Sequence, residues 1–238
     1  MAGAPVDVTA VLAAAAALAA QGRGSDAIRV LAVALRYQAD NATLRHALAE
    51  QLWQANALAA AEDVLAPSDP VARDDVRDAL LLARIRRGQG RLMAAAQTIS
   101  PLAEQETSID TLLDLLEFLR QCRRETTAYT IAERRLTQPP ADARLHAFAG
   151  NLAATLGRFD TARAHFEAAL ALDINLDRWF VLEALAHTQR YAERNHPDLA
   201  RFARCAESPS IGERARASAR FALAKAEADI GDLEAAVR

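Results

Sequence analysis

Three side chains at near-regular intervals could together hold an anion: Trp53, Arg87 34 residues later, and Arg120 33 residues after that. Two guanidiniums beside an indole would bind a carboxylate, sulfate or phosphate through charge-assisted hydrogen bonds, with an aromatic platform alongside. They form one site only if the chain returns to the same place about every 34 residues. The other reactive side chains form no comparable set. His46, His146, His165, His187 and His196 never stand at i,i+4 around a carboxylate, and Cys122 and Cys205 are isolated from each other and from histidine. Gly22-Arg23-Gly24 and Gly88-Gln89-Gly90 lack the third glycine and the preceding strand of a phosphate loop. With no P-loop, HExxH or GxSxG present, the sequence predicts no catalytic residue, no metal and no cofactor.

The elements that would position the three side chains are helices. About a quarter of the residues are Ala, the strongest helix former, whereas Gly 9 and Pro 8 are scarce and aromatic residues make up only 5%. A net charge of -3 gives no general attraction for nucleic acid, and acidic residues interleave with the arginines. The most apolar stretch, Val8 to Ala20, is too short to span a bilayer. No Lys or Arg precedes Arg23, and Asp7 stands where a secretory leader would be positive, so the expected location is the cytoplasm.

Self-similarity supplies the period. Ala27, Ala61, Ala95, Ala128, Ala162, Ala200 and Ala236 follow one another at spacings of 34, 34, 33, 34, 38 and 36. Five residues before each stand Gly22, Asn56, Gly90, Arg123, Gly157, Asn195 and Gly231. All but Arg123 are Gly or Asn, the residues that best tolerate φ > 0 at a helix end. The clearest copy runs from Asp142 to Asn175, two amphipathic helices joined at Gly157. This copy resembles a tetratricopeptide repeat (TPR): Gly150 takes the small position where the first helix crosses the second, and Phe159, Ala162, Phe166 and Ala169 take the signature packing positions. It departs from the pattern at His146, Ala149, Ala153 and Ile174.

The resemblance implies an all-α, α-α superhelix, one solenoid with repeats at about 8–41, 42–75, 76–108, 109–142, 143–175 and 176–212, and an incomplete seventh at 213–238. Leu31, Leu65, Ile99 and Phe166 should fill the space behind the small residues. Ser25, Asp69, Asp142 and Asp160 are expected near helix starts as caps, and Pro67, Pro70, Pro139, Pro140, Pro197 and Pro209 between helices. Pro101 should end or kink the helix that begins near Arg91.

TPR arrays usually hold a peptide on the concave face of their first helices (the A helices), at positions 2, 5, 9 and 12. Position 2 reads Thr9, Thr43, Arg77, Asp110, Arg144, and position 9 reads Ala16, Glu50, Arg84, Glu117, Asn151, so both rows alternate in sign and should pair between neighbours. Position 12 reads Ala19, Trp53, Arg87, Arg120, Ala154, which is the anion cradle of the opening lines. The competing reading pairs Arg120 with Glu117, leaves Arg87 in solvent and packs Trp53 on the next helix. His46, at position 5, would line the same groove. The Lys and Asn clamp for acidic tails is missing, since Lys225 is the only Lys.

The last two units, from His196-Pro197-Asp198 through Arg220-Phe221-Ala222-Leu223 to Gly231, are similar to the final repeats of bacterial TPR-containing sulfotransferases. That resemblance implies an N-terminal regulatory or substrate-presenting arm whose catalytic domain, using the sulfate donor PAPS, would follow residue 238. The expected function is binding of a protein or peptide, with acidic or sulfated groups as candidate features. An arm for homodimerisation is a further alternative.

Overall fold

Asp7 starts the first helix: its carboxylate accepts the amide of Ala10 at 3.2 Å, satisfying one of the free N–H groups of the first turn. The computed structural model describes residues 7–66, 76–232 and 236. Among them are thirteen helices and no strand. The chain divides into two compact units, residues 1–106 with 121–123, and residues 107–120 with 124–238.

The first unit holds α1 (Val8–Ala20), α2 (Gly24–Tyr37), α3 (Ala42–Gln54), α4 (Leu58–Leu65), α5 (Val76–Gly88) and α6 (Leu92–Gln105). The helices pack in order as pairs, α1 on α2, α3 on α4 and α5 on α6, and α3 also touches α1 and α5. The second unit holds α7 (Ile109–Gln121, its last residue grouped with the first unit), α8 (Glu125–Leu136), α9 (Ala143–Thr155), α10 (Phe159–Ala171), α11 (Val181–Ala186), α12 (Pro197–Glu207) and α13 (Glu213–Ile230). Odd-numbered helices are the A helices of successive pairs. Each unit is thus a stack of helix pairs of the α-α superhelix class.

One kind of turn ends most A helices. Gly22, Asn56, Gly90, Arg123, Gly157 and Gly231 all have φ between 57° and 93°. The amide after the turn residue returns to a carbonyl five residues back, as in Arg23 N to Leu18 O, Ala57 N to Leu52 O and Arg158 N to Ala153 O. This is the bond that lets a left-handed residue close a helix. Arg123 takes the conformation although it is neither Gly nor Asn. Asn195 corrects the expectation in the other direction: it stands in a turn but is not left-handed, and α12 begins with His196 as its cap, Nδ1 accepting the amide of Asp198 at 3.2 Å.

The small residues sit where close packing requires them. Ala27, Ala61, Ala95, Ala128 and Ala162 are fully buried, as are Leu31, Leu65, Ile99 and Phe166 one helical turn later. A Cβ on Gly150 would stand 2.6–3.0 Å from three ring carbons of Phe166, so α9 and α10 touch there because no side chain intervenes. The sixth unit breaks the register. Ala200 is exposed, and the buried pattern of α12 is Asp198, Leu199, Phe202 and Ala206. Phe202 therefore answers to Phe166, and Asp198 takes the place that Ala162 has in α10.

Helix boundaries hold three further corrections. α6 does not end at Pro101 but runs through it to Gln105, where burial of Leu102 and Ala103 beyond the proline offsets one missing backbone bond. Ser25 lies inside α2 and Asp160 in the first turn of α10, neither of them an N-cap, whereas Asp142 caps α9 as expected. Asn41 caps α3. Pro67, Asp69 and Pro70 lie outside the described residues.

Candidate functional site

α5, α7 and α9 present the charged rows read from the sequence, and their partners are local. Arg144 bonds Asp142 at 2.9 Å and also Asp110, the residue one repeat earlier on α7, so the position 2 pairing exists there. Asp142 is half-buried; burial alone would raise its pKa, but the Arg144 guanidinium and the amides of Arg144 and Leu145 hold it below the usual carboxylate range. Arg84 is exposed and makes no ion pair with Glu50.

The candidate cradle separates into individual contacts. Trp53 is half-buried and packs against the cluster of Ala49, Ala61, Leu65, Leu81, Leu82 and Ile85. Arg87 donates to Gln121. Arg120 donates from Nε and Nη2 to both carboxylate oxygens of Glu117 at 2.7 and 2.6 Å, which raises its pKa. Arg87 belongs to the first unit and Arg120 to the second.

His46 needs a correction. It is 7% exposed and its Nδ1 meets the equally buried Asp78 of α5, with Glu50 at 4.0 Å from Nε2. A ring sealed between α3 and α5 serves their packing and cannot line an open groove.

Within the second unit the A-helix face carries a cleft of about 520 Å³, lined by Glu117, Arg120, Phe148, Asn151 and His187. A second cleft of about 380 Å³ continues from it, sharing Asn151, Ala184 and His187 and adding Arg178, Trp179, Phe180 and Glu183. Arg120 and Asn151, both expected on this face, thus line one surface. Phe148, Arg178, Trp179, Phe180 and His187 were not anticipated. Phe148, on α9, had no signal of its own, and for the other four the signal was the length of the sixth unit, which has only six helical residues in α11 where α7 and α9 each have thirteen.

A further cleft, about 660 Å³, lies on α13 beside Arg216, Arg220, Phe221 and Glu227, and Phe221 is 66% exposed. Among the described residues no group of three His, Cys, Asp or Glu side chains could hold a metal ion, and no helix is long and apolar enough to cross a membrane.

Neither a family model nor a curated protein matches the sequence. Solved structures do. A tetratricopeptide repeat protein from Parabacteroides merdae, 14% identical, covers 96% of this chain and 88% of its own at a TM-score of 0.54. A thermophilic TPR protein of Thermus thermophilus, 22% identical, covers 90% and 98% at 0.33. The TPR2AB domain of yeast Sti1, in a complex with pHSP90, is 14% identical and covers 97% and 98% at 0.41. The first of these, together with the helix pairs and their recurring left-handed turn, shows that the chain has the TPR fold.

Proposed function

We propose that the chain is a non-catalytic scaffold that holds a protein or peptide on its A-helix face. The supporting observation is the continuous pair of clefts in the second unit, where α7, α9 and α11 turn Arg120, Phe148, Asn151 and His187 toward one surface. Such a lining suits an extended chain: Asn151 offers both a donor and an acceptor to a peptide group, Phe148 offers apolar area, and the arginine offers charge. The candidate contacts in this unit are Arg120 and Asn151, where an acidic or sulfated ligand group would compete with Glu117 for Arg120, and Trp53, Arg84 and Arg87 are the candidates on the A helices of the first unit.

Charge reversal of Arg87 and Arg120 together, followed by calorimetric titration with an acidic peptide, tests this reading. Weakened binding with an unchanged melting curve supports it, and unchanged affinity with an intact fold overturns it. A homodimerisation arm is favoured by one observation, the exposed Phe221 on α13. A monomer whose mass does not change with concentration removes that second reading. The likeness of the last units to sulfotransferase arrays is carried by their sequence alone.

A further inference from the structure

The sixth unit is where the repeat pattern fails, and the failure has a built cause. Asn175 Oδ1 accepts the amides of Asp177 and Arg178 at 3.0 and 3.2 Å, a turn that competes with helix. The Asp177 carboxylate then reaches the start of α13, accepting Gly212 N at 2.9 Å and Ala215 N at 3.1 Å. A Cβ on Gly212 would fall 2.1–2.3 Å from that carboxylate, so the approach needs glycine. Drawn to α13, residues 175–180 cannot form the first turns of α11.

What this leaves is a side pocket with an unusual rim. Phe180 is 53% exposed and Trp179 half-buried, both facing the cleft that Asn151, Glu183 and His187 complete. Arg178, between the two aromatics and the cleft beside Asp173, makes no side-chain hydrogen bond or ion pair among the described residues. The other arginines near this surface are compensated, Arg120 by Glu117 and Arg144 by Asp142 and Asp110. Asp173 shares a cleft with Arg178 without pairing to it, and Glu183 lines the cleft on the other side.

We propose that this pocket seats an extended peptide segment in which an apolar side chain is followed or preceded by an acidic one. The apolar side chain lies against Trp179 and Phe180, and the acidic one meets Arg178. Charge complementarity selects this occupant: the uncompensated guanidinium stands beside exposed aromatic area, which matches a carboxylate beside a hydrophobic group. The proposal rests on the reading of the A-helix face as a peptide-binding surface and names what its far end recognises.

The experiment uses the full chain, immobilised and panned with a displayed library of random dodecapeptides, followed by anisotropy of the best labelled peptide. Enriched sequences should carry Leu, Ile, Phe or Trp next to Asp or Glu. Phe180→Ala and Arg178→Glu, both at exposed positions that leave the melting curve unchanged, should each weaken binding about tenfold or more. A Lys in place of the peptide's acidic residue should restore binding to Arg178→Glu. Affinity unchanged in both variants overturns the proposal, and if Arg120→Glu weakens the same peptide the broader reading survives it. An absence of any enriched peptide overturns both.

Discussion

The Nδ1 atoms of His146 on α9 and His165 on α10 face each other at 3.1 Å, and Glu133 of α8 lies 2.9 Å from the other ring nitrogen of His165 at an angle that forms no hydrogen bond. Tyr129 stands edge-on to His165, under the Arg158 guanidinium. One of the facing nitrogens must donate and the other accept, so the contact has no arrangement for two imidazoliums.

That geometry makes stability depend on pH. Burial, then the neighbouring His165, lowers the pKa of His146 below 6.5, while Glu133 and Asp142 pull the other way with less effect. The folded chain therefore binds this proton less readily than the unfolded chain, and the stabilisation, complete above the unfolded value, is lost as pH falls through the folded one. Urea midpoints measured between about pH 7.5 and pH 5.5 should fall more steeply for the native chain than for His146→Gln. Parallel pH profiles would contradict this.

Gly150→Ala should destabilise the fold despite the better helix propensity of alanine. The new methyl group meets the fully buried Phe166 ring at 2.6–3.0 Å, and the overpacking is expected to cost about 1–3 kcal/mol. Phe166→Leu in the same background should recover part of the loss in a thermal melt. A Gly150→Ala protein as stable as the native one would show that the ring can move aside.

Arg123→Gly should stabilise. Arg123 holds φ at 57°, where an L side chain costs about 1–2 kcal/mol, against about 0.5–1 kcal/mol for the greater chain entropy of glycine. The net gain expected is about 0.5–1 kcal/mol, read as a higher urea midpoint with an unchanged slope.

Asp198→Asn should loosen the sixth pair and leave a spectroscopic trace. Asp198 is 1% exposed and accepts Arg163 Nη2 at 2.7 Å and the Tyr191 hydroxyl at 2.9 Å. Removing the charge leaves the partly buried Arg163 with only Glu167, 3.4 Å from its Nη2, as counter-charge, at a cost of about 1–2 kcal/mol after allowing for its solvent access. Burial and then the Asp198 carboxylate push the Tyr191 phenol up to about 12. In the variant the phenol should ionise at lower pH in an ultraviolet titration, without reaching the ordinary value because burial persists.

The helix pairs were legible because their signals are local: a helix end that needs φ > 0 selects Gly or Asn, and an axis crossing selects Gly150 or Ala162. Arg123 escaped that logic, since it is exposed and takes the left-handed turn although it is neither Gly nor Asn. Ala200 misled because one alanine among many carries little information, whereas Asp198 looked polar and exposed and is buried against Tyr191 and, 35 residues away, Arg163. The clefts were only half legible for a related reason. Arg120 and Asn151 follow from the repeat phase, but the aromatic corner at Trp179 and Phe180 depends on Asp177 reaching α13, and no periodicity encodes that reach.

Several contacts in the second unit span close to one repeat: Arg144 to Asp110, Arg201 to Glu167, Arg163 to Asp198, Asp177 to Gly212 and Lys225 to the carbonyl of Gln189. In a linear array each pair touches only its neighbours, so these bonds act as the coupling constants of a one-dimensional chain. Cutting them leaves every pair intact in itself while allowing the pairs to melt separately, which would turn one sharp transition into a staircase.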